Sequence, residues 1–411
     1  MQDNIKPTQQ GKVANLATFF CLYLAQTLPM SFFSTVIPVM MRQDHYSLSA
    51  IGLLQLIKLP WILKFIWSPL IDRKIYSMKE FKRCIILSEL IYAVLIFTVA
   101  FLDFKTDFYT IIFLILLSFI ASATQDIATD ALAVLSFSHK DKSMVNSMQS
   151  MGSFGGAMLG GGLLLILFHH FGWNLMLPFV AILVVAAILP LCMNKNIQLI
   201  KDNADSKASF RDLALFFTQR RISRHITFLM LYYAGVMGTL AMIKPLLVDL
   251  GYDMESIGLM NGVFGTAVAF CSSFAGGVII RNMGRRKSTL LFSLTLFLAT
   301  SYLVVLSMVP APPLAGVYGG IAILWSSYGL AMVVVFTLAM DKVRLGKEGT
   351  DFTLQIVLTH VASMIVAISC GRIADIAGYT GMLLFESLLA VISIIYVTFF
   401  YKKEIADEHD Q

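Results

Sequence analysis

The chain has 411 residues, of which 57% are hydrophobic and 14% are charged, and its mean hydropathy is +0.77. A soluble domain is roughly one quarter charged, so this chain has too few polar side chains to cover a surface that faces water. The composition excludes a secreted disulfide scaffold, a cytosolic enzyme and a nucleic-acid-binding domain. It indicates a protein whose surroundings are the lipid bilayer.

The apolar residues are grouped in twelve runs. Most of these runs have about 20 to 28 residues, enough for a helix to cross a hydrocarbon core of ~30 Å. The sequence therefore predicts an all-α polytopic membrane protein with twelve transmembrane helices and no cleavable signal peptide. In chain order, the runs lie at about 13–41, 49–71, 82–102, 108–136, 143–168, 173–193, 223–248, 254–280, 287–309, 312–340, 350–371 and 378–401.

The positions of the basic residues predict the orientation. With a cytoplasmic N-terminus, 25 of the 31 Lys and Arg lie in cytoplasmic segments, three lie in outside loops and three lie within helices. Membrane proteins carry such an excess on the cytoplasmic side. We therefore predict a multi-pass protein of the cytoplasmic (inner) membrane with both termini inside. The net charge of +6 is interpreted as an orientation signal, and no nucleic-acid partner is expected.

The chain is predicted to consist of two six-helix halves, residues 1–193 and 223–411, joined by a polar cytoplasmic linker at 194–222. An internal repeat supports this division. Pro38 precedes Ser-Ala-Ile-Gly-Leu at 49–53, and Pro245 precedes Glu-Ser-Ile-Gly-Leu at 255–259. In both copies a helix and a basic loop follow. Two repeated bundles are the plan of a transporter that works by alternating access.

Two carboxyl groups lie within the fourth run. Asp126 and Asp130 are four residues apart and share one helical face. An ionisable group in hydrocarbon is a functional hypothesis by default, and two neighbouring carboxylates favour protonation of one of them. We predict a proton-coupling or gating pair. The alternative is that Asp130 lies in water at the helix end and Asp126 only pairs with Lys64.

Two lysines lie within the second run. Lys64 is expected to pair with the aspartates because both positions fall toward the cytoplasmic side. Lys58 is nearer the midplane, one turn from Trp61, where it would receive an anionic group of a substrate. The alternative for Lys58 is that its stem lies along the helix and its amine reaches the interface.

Further polar and aromatic residues are candidates for the lining of a central cavity. Each has an alternative role in packing or in a hydrogen bond between helices. These candidates are Tyr23, Gln26, Gln125, Trp325, Tyr328, Gln355 and His360. Glu89 and Glu386 also lie within runs, and for Glu89 a structural role is favoured over a cavity-facing one.

Four charged residues in the cytoplasmic loops are candidates for a gate: Asp72, Arg73, Arg285 and Arg286. In this position they would latch the two halves or meet helix ends. The alternative is that the arginines serve only as an orientation signal. No metal-ligand set and no catalytic cluster is present in the sequence, so neither a metal site nor enzymatic activity is expected.

The sequence also resembles a known family. Twelve predicted helices, the long central loop and the basic loop at 276–287 resemble the major facilitator superfamily. Residues 58–73 and 122–130 resemble the signatures of AmpG-like permeases. That group includes muropeptide permeases, siderophore permeases of the RhtX/FptX type and, more distantly, acetyl-CoA transporters. Pro69 departs from the superfamily pattern, in which a glycine is common at this position.

The resemblance implies a secondary active transporter. We expect a proton-coupled importer of a bulky, siderophore-like or muropeptide-like solute that works as a monomer by alternating access. Its driving force would be a proton gradient and it would need no cofactor, because the sequence has no Walker motif. The alternatives are a receptor or scaffold that kept a transporter fold, and a transporter of the acyl-CoA type.

Overall fold

A computed structural model of the chain describes residues 9–45, 47, 54–200, 208–232 and 234–401. Every regular element among these residues is helical. Eight helical stretches of the described residues are long and apolar enough to cross a membrane. The predicted all-α membrane fold is confirmed.

The helices before residue 200 include five long ones and two short ones. They are α1 (Gln9–Gln43), α2 (Leu59–Leu63), α3 (Ser68–Lys74), α4 (Met78–Val99), α5 (Phe108–Ser136), α6 (Lys142–Met158) and α7 (Leu164–Met193). A π-helical segment, Leu159–Leu163, joins α6 to α7.

The helices after residue 200 again alternate in length. They are α8 (Arg211–Phe216), α9 (Ile222–Leu231), α10 (Ala234–Asp249), α11 (Met254–Ile257), α12 (Thr266–Met283), α13 (Arg285–Ser307), α14 (Leu314–Asp341) and α15 (Glu348–Ile395). Two further π-helical segments, Gly258–Gly265 and Tyr396–Tyr401, precede α12 and follow α15.

The second apolar run is not one regular α-helix, as the sequence analysis assumed. Its described part consists of the 3-10 segment Leu54–Lys58, α2, the 3-10 turn Lys64–Ile66 and α3. Pro60 and Pro69 cause these breaks because a proline has no backbone N–H and its ring clashes with the preceding turn. The hydroxyl of Ser68 donates to the carbonyl of Phe65 at 2.9 Å, the carbonyl that residue 69 would bond in an unbroken helix.

Two helical stretches are about twice the length of a single span. Lys142–Met193 has 52 residues and Glu348–Tyr401 has 54. Each is interrupted by a glycine with positive φ, Gly172 (69°) in the first and Gly378 (69°) in the second. A side chain rarely adopts this backbone conformation. The interruptions lie between predicted runs five and six, and between runs eleven and twelve.

The chain forms two compact units. The first comprises Met1–Asp212 and Val343–Thr353, and the second comprises Leu213–Lys342 and Leu354–Gln411. The start of α15 therefore belongs to the first unit and the rest of that helix to the second. The halves at 1–193 and 223–411 and the linker at 194–222 remain predictions. The first copy of the repeat, 49–53, and linker residues 201–207 lie outside the described residues.

Aromatic side chains form much of the core of the first unit. The ring of Phe33 on α1 lies 6.3 Å from that of Phe119 on α5 and 6.5 Å from that of Trp173 on α7. The indole N–H of Trp173 donates to the carbonyl of Val99 at 3.2 Å. This packing joins α1 to α5, the two helices that carry most of the polar side chains described below.

A glycine stripe brings α6 and its π-helical continuation against α1. Gly152, Gly156 and Gly160 are each four residues apart, and a Cβ atom at any of them would lie less than 3.0 Å from atoms of α1. Small residues at this spacing let transmembrane helices approach closely. Gly162 lies outside the stripe, and a Cβ there would meet nothing within 4 Å.

Replacing Gly156 by alanine is expected to destabilise the protein. The added Cβ would lie 2.7 Å from the Cβ of Thr27 and 2.9 Å from the backbone nitrogen of Leu28, and overpacking of this kind costs about 1–3 kcal/mol. Thermal unfolding of purified Gly156→Ala should show a lower midpoint than the wild type. Gly162→Ala, the matched control, should unfold like the wild type. Equal midpoints for both variants would contradict the close packing.

Candidate functional site

A cluster of polar side chains lies inside the first unit, surrounded by apolar residues. Its members come from four parts of the fold: α1, the 3-10 turn Lys64–Ile66, α5 and α6. They are Tyr23, Gln26, Lys64, Gln125, Asp126, Asp130 and Gln149, and each is buried. The predicted candidates Tyr23, Gln26, Lys64, Gln125, Asp126 and Asp130 are thus brought together.

The centre of the cluster is an ion pair. The amine of Lys64 donates to Oδ2 of Asp126, and both side chains are 4% exposed. The same amine lies 5.1 Å from the centre of the Trp61 ring, within the range of a cation–π interaction. The expected pairing of Lys64 with an aspartate is therefore present, and it is made by Asp126.

Asp130 is held by neutral donors. The hydroxyl of Tyr23 and the amide nitrogen of Gln149 donate to Oδ1 of Asp130, at 2.9 and 3.1 Å. Asp130 is 1% exposed, so the alternative that it lies in water at a helix end is wrong. A buried carboxyl group without a direct cation is placed to take up a proton.

The amide groups complete the cluster. The side-chain nitrogen of Gln26 on α1 donates to the side-chain oxygen of Gln125 on α5. The sequence analysis missed Gln149, although it is an amide at the start of an otherwise apolar run, the same signal that identified Gln26. The amide hydrogens of Gln149 reach back to Asp130 across 19 residues of sequence, which no pattern in the sequence indicates.

Lys58 and Trp61 lie close to the cluster in sequence but make less use of it. Lys58 ends the 3-10 segment that precedes α2 and is half-buried. Trp61 is half-buried, and its indole N–H has no hydrogen-bond partner among the described residues. Their assignment to a substrate cavity remains a prediction.

The candidates of the second unit lie apart from one another. Trp325 donates from its indole nitrogen to Asn261 at 2.8 Å, and its ring lies 6.2 Å from that of Tyr328. Gln355 is buried; its amide oxygen contacts Nε2 of His225 at 2.6 Å and its nitrogen donates to the carbonyl of Ala339. His360 is exposed on α15. A role of these residues in a cavity remains a prediction.

The predicted gate residue Asp72 meets a helix end within the first unit. It accepts the backbone N–H groups of Gly349 at 3.0 Å and of Thr350 at 2.6 Å. Both belong to the first turn of α15, whose N–H groups have no partner inside the helix and carry partial positive charge. Burial raises the pKa of Asp72 from 3.8 to about 7, although the hydrogen bonds from Thr350 and Gly349 oppose this rise.

The other gate candidates differ in burial. Arg285 is 3% exposed and forms a two-pronged ion pair with Asp341, at 2.6 Å from Nε to Oδ2 and 3.3 Å from Nη2 to Oδ1. Arg73 and Arg286 are exposed. Their position agrees equally with a gate and with an orientation signal.

The sequence profile of the Major Facilitator Superfamily matches residues 19–367. The chain belongs to the major facilitator superfamily. It is therefore a multi-pass membrane protein of a transporter family, as its resemblance implied.

Three relatives of this superfamily chain describe its neighbourhood. A protein of Haemophilus influenzae is 27% identical over 275 residues, which cover 65% of this chain and 65% of the relative. A Rickettsia felis protein that bears the name transporter AmpG 4 is 22% identical, over 96% of this chain and 99% of its own length. The anhydromuropeptide permease of Escherichia coli K12 is 22% identical, over 92% of this chain and 78% of its own length.

A solved structure shows the same fold. The crystal structure of the human organic anion transporter MFSD10 superposes with a TM-score of 0.71 at 12% sequence identity, over 94% of this chain and 99% of the other. The helical fold of this major facilitator chain is thus shared with a protein of very different sequence.

The ion pair between Lys64 and Asp126 is expected to be strongly non-additive. Removing one partner leaves a buried charge unpaired and costs about 3–5 kcal/mol, whereas replacing both by apolar residues is often neutral. In thermal unfolding, Asp126→Leu should lower the midpoint, and Lys64→Met/Asp126→Leu should recover most of the loss. The pair of Lys105 and Asp44 is more exposed, with Lys105 75% exposed, and Asp44→Asn should have little effect. A double variant less stable than the single one would contradict a coupled pair.

Attachment of the start of α15 to Asp72 is expected to depend on pH. The attached state has the higher pKa, about 7 against the ordinary 3.8, so it binds a proton more tightly than the detached state. Lowering the pH from about 7 toward 3.8 therefore stabilises attachment, and raising it weakens attachment until about pH 7. Hydrogen exchange of residues 348–353, corrected for intrinsic rates, should be slower at pH 5.5 than at pH 8. The difference should vanish in Asp72→Asn; a wild type without this difference would overturn the assignment.

Proposed function

We propose that this protein is a proton-coupled secondary active transporter that imports a muropeptide-like solute across the cytoplasmic (inner) membrane, with both termini in the cytoplasm. The observation that carries the proposal is the buried group of Lys64, Asp126 and Asp130. One buried cation faces two carboxyl groups on one helical face, which is the minimum needed to exchange a proton for an ion pair. Membership of a transporter superfamily supports the coarser statement.

The choice of substrate rests on the relatives. The anhydromuropeptide permease aligns over 92% of this chain, and the AmpG-named relative aligns over 96%. We propose the same chemical class here: a sugar that carries a short peptide, with hydroxyl, amide and carboxylate groups. Lys58, beside Trp61 in the second run, is the residue that would receive the carboxylate. A siderophore-like solute is the second choice and is tested in the same assay.

The coupling step uses residues of the first unit only. With Asp126 ionised, Lys64 is held between the carboxylate and the Trp61 ring. When a proton is taken up by Asp126 or passes to it from Asp130, the ion pair loses its negative partner and the amine of Lys64 is released. A charged amine without a partner in hydrocarbon is unfavourable, so release biases the protein toward a conformation in which Lys64 meets water or an anionic substrate. The driving force is the proton gradient, and the proposed working unit is the monomer.

Uptake into proteoliposomes tests this proposal. Vesicles that contain the purified protein, with an inward proton gradient, should accumulate radiolabelled anhydromuropeptide, and a proton ionophore should abolish accumulation. A ferric siderophore and an acyl-CoA serve as competing solutes. No accumulation of any of them under the gradient would favour a receptor or scaffold on a transporter fold.

Asp126→Asn should abolish gradient-driven accumulation. The amide oxygen still accepts a hydrogen bond from Lys64, so the protein is expected to fold, but the side chain no longer takes up a proton. Asp44→Asn, in which a more exposed ion pair is changed in the same way, should accumulate substrate like the wild type. Unimpaired uptake by Asp126→Asn would remove Asp126 from the coupling mechanism without excluding transport.

A further inference from the structure

A second buried acid lies in the first unit, outside the cluster described above. Glu89 is the twelfth of the 22 residues of α4 (Met78–Val99) and therefore lies near the middle of that helix. Its side chain is 0% exposed. No part of the proposed coupling step uses it.

The carboxyl group of Glu89 has no hydrogen-bond partner at either oxygen among the described residues. Two hydroxyl groups are close by: Tyr92, one turn further along α4, and Ser122 on the neighbouring helix α5. Both are 0% exposed, and neither makes a hydrogen bond of normal geometry in this conformation. Three polar groups thus meet in an apolar interior.

No positive charge faces Glu89 from the helices packed against it. On α4 itself the titratable neighbour is Tyr92. On α5 the facing group is the hydroxyl of Ser122, and the lysine nearest to that part of α5, Lys64, is bound to Asp126. On α7, residues 173–191 contain no acidic, basic, histidine, cysteine or tyrosine side chain.

An ionised carboxylate in such a place has neither a countercharge nor a donor, and burying it costs far more than burying the neutral acid. Glu386 in the second unit is the contrasting case. Its two oxygens accept from the backbone N–H of Gly238, the backbone N–H and hydroxyl of Thr239, and the thiol of Cys370. Four donors and no acceptor suit an ionised carboxylate, whereas the surroundings of Glu89 suit a protonated one.

We propose that Glu89 is a proton-binding site of this protein, protonated in the present conformation and deprotonated when conformational change brings water or a donor to it. Ser122 lies four residues before Asp126 on α5, so the two share a face and are about 6 Å apart along the helix axis. The site of Glu89 is therefore about one turn from the ion pair. A role of this proton in transport rests on the proposed function; the protonation state itself does not.

Infrared spectroscopy tests the protonation state without any transport assay. In the difference spectrum between wild-type protein and Glu89→Gln at neutral pH, the C=O stretching band of a protonated carboxyl group should be lost. The same band should be lost in Glu89→Met, which keeps the volume of the side chain and serves if the glutamine variant does not fold. Glu386→Gln, the matched control, should instead lose the band of an ionised carboxylate. Loss of an ionised carboxylate band from the Glu89 variants would overturn the proposal.

Transport measurements then separate this inference from the proposed function. Glu89→Gln should lose accumulation driven by a proton gradient and keep substrate counterflow in the absence of a gradient. If the wild type accumulates substrate and Glu89→Gln accumulates it equally well, Glu89 carries no transported proton and the proposed function stands. If the wild type shows no gradient-driven accumulation, the proposed function fails, and the infrared result alone decides the protonation of Glu89.

Discussion

The ion pair of Lys64 and Asp126 is the interaction on which the organisation of the first unit depends. Neither charge is tolerated in a lipid-embedded interior without the other, so the two must remain opposite each other. This requirement fixes the second apolar run against α5. It also explains the position of Tyr23, Gln26 and Gln149, which satisfy the carboxyl and amide groups that surround the pair. The polar cluster is therefore built outward from a single electrostatic contact.

Much of the fold follows from the sequence because the bilayer allows few backbone solutions. Every backbone polar group must be satisfied internally in hydrocarbon, which favours helices, and the apolar runs therefore predict the elements and their order. The exception is the second run, where Pro60 and Pro69 override the apolar pattern. The sequence contained this signal, since a proline removes a helical hydrogen bond wherever it lies.

The candidate site was predictable where one helix carries the information. Asp126 and Asp130 follow from their spacing on one helix, and Lys64 from its charge in an apolar run. Contacts that depend on tertiary packing were not predictable: Gln149 with Asp130, and Asp72 with Gly349. The second of these joins residues 277 positions apart, and no periodicity in a single sequence encodes such a pairing. Glu89 was visible as an acid in a run, but only the packing of α4 shows that its oxygens lack partners.

The broken second run has a mechanical consequence for Lys64. The residue begins the short 3-10 turn Lys64–Ile66 between two proline-containing segments, so no long α-helix holds its backbone in place. Successive side chains are rotated by about 120° in a 3-10 turn and by about 100° in an α-helix. Interconversion of the two therefore re-aims the amine by tens of degrees without breaking a run of helical hydrogen bonds. The two prolines provide a joint at which a buried charge can change its partner while the helices on either side remain intact.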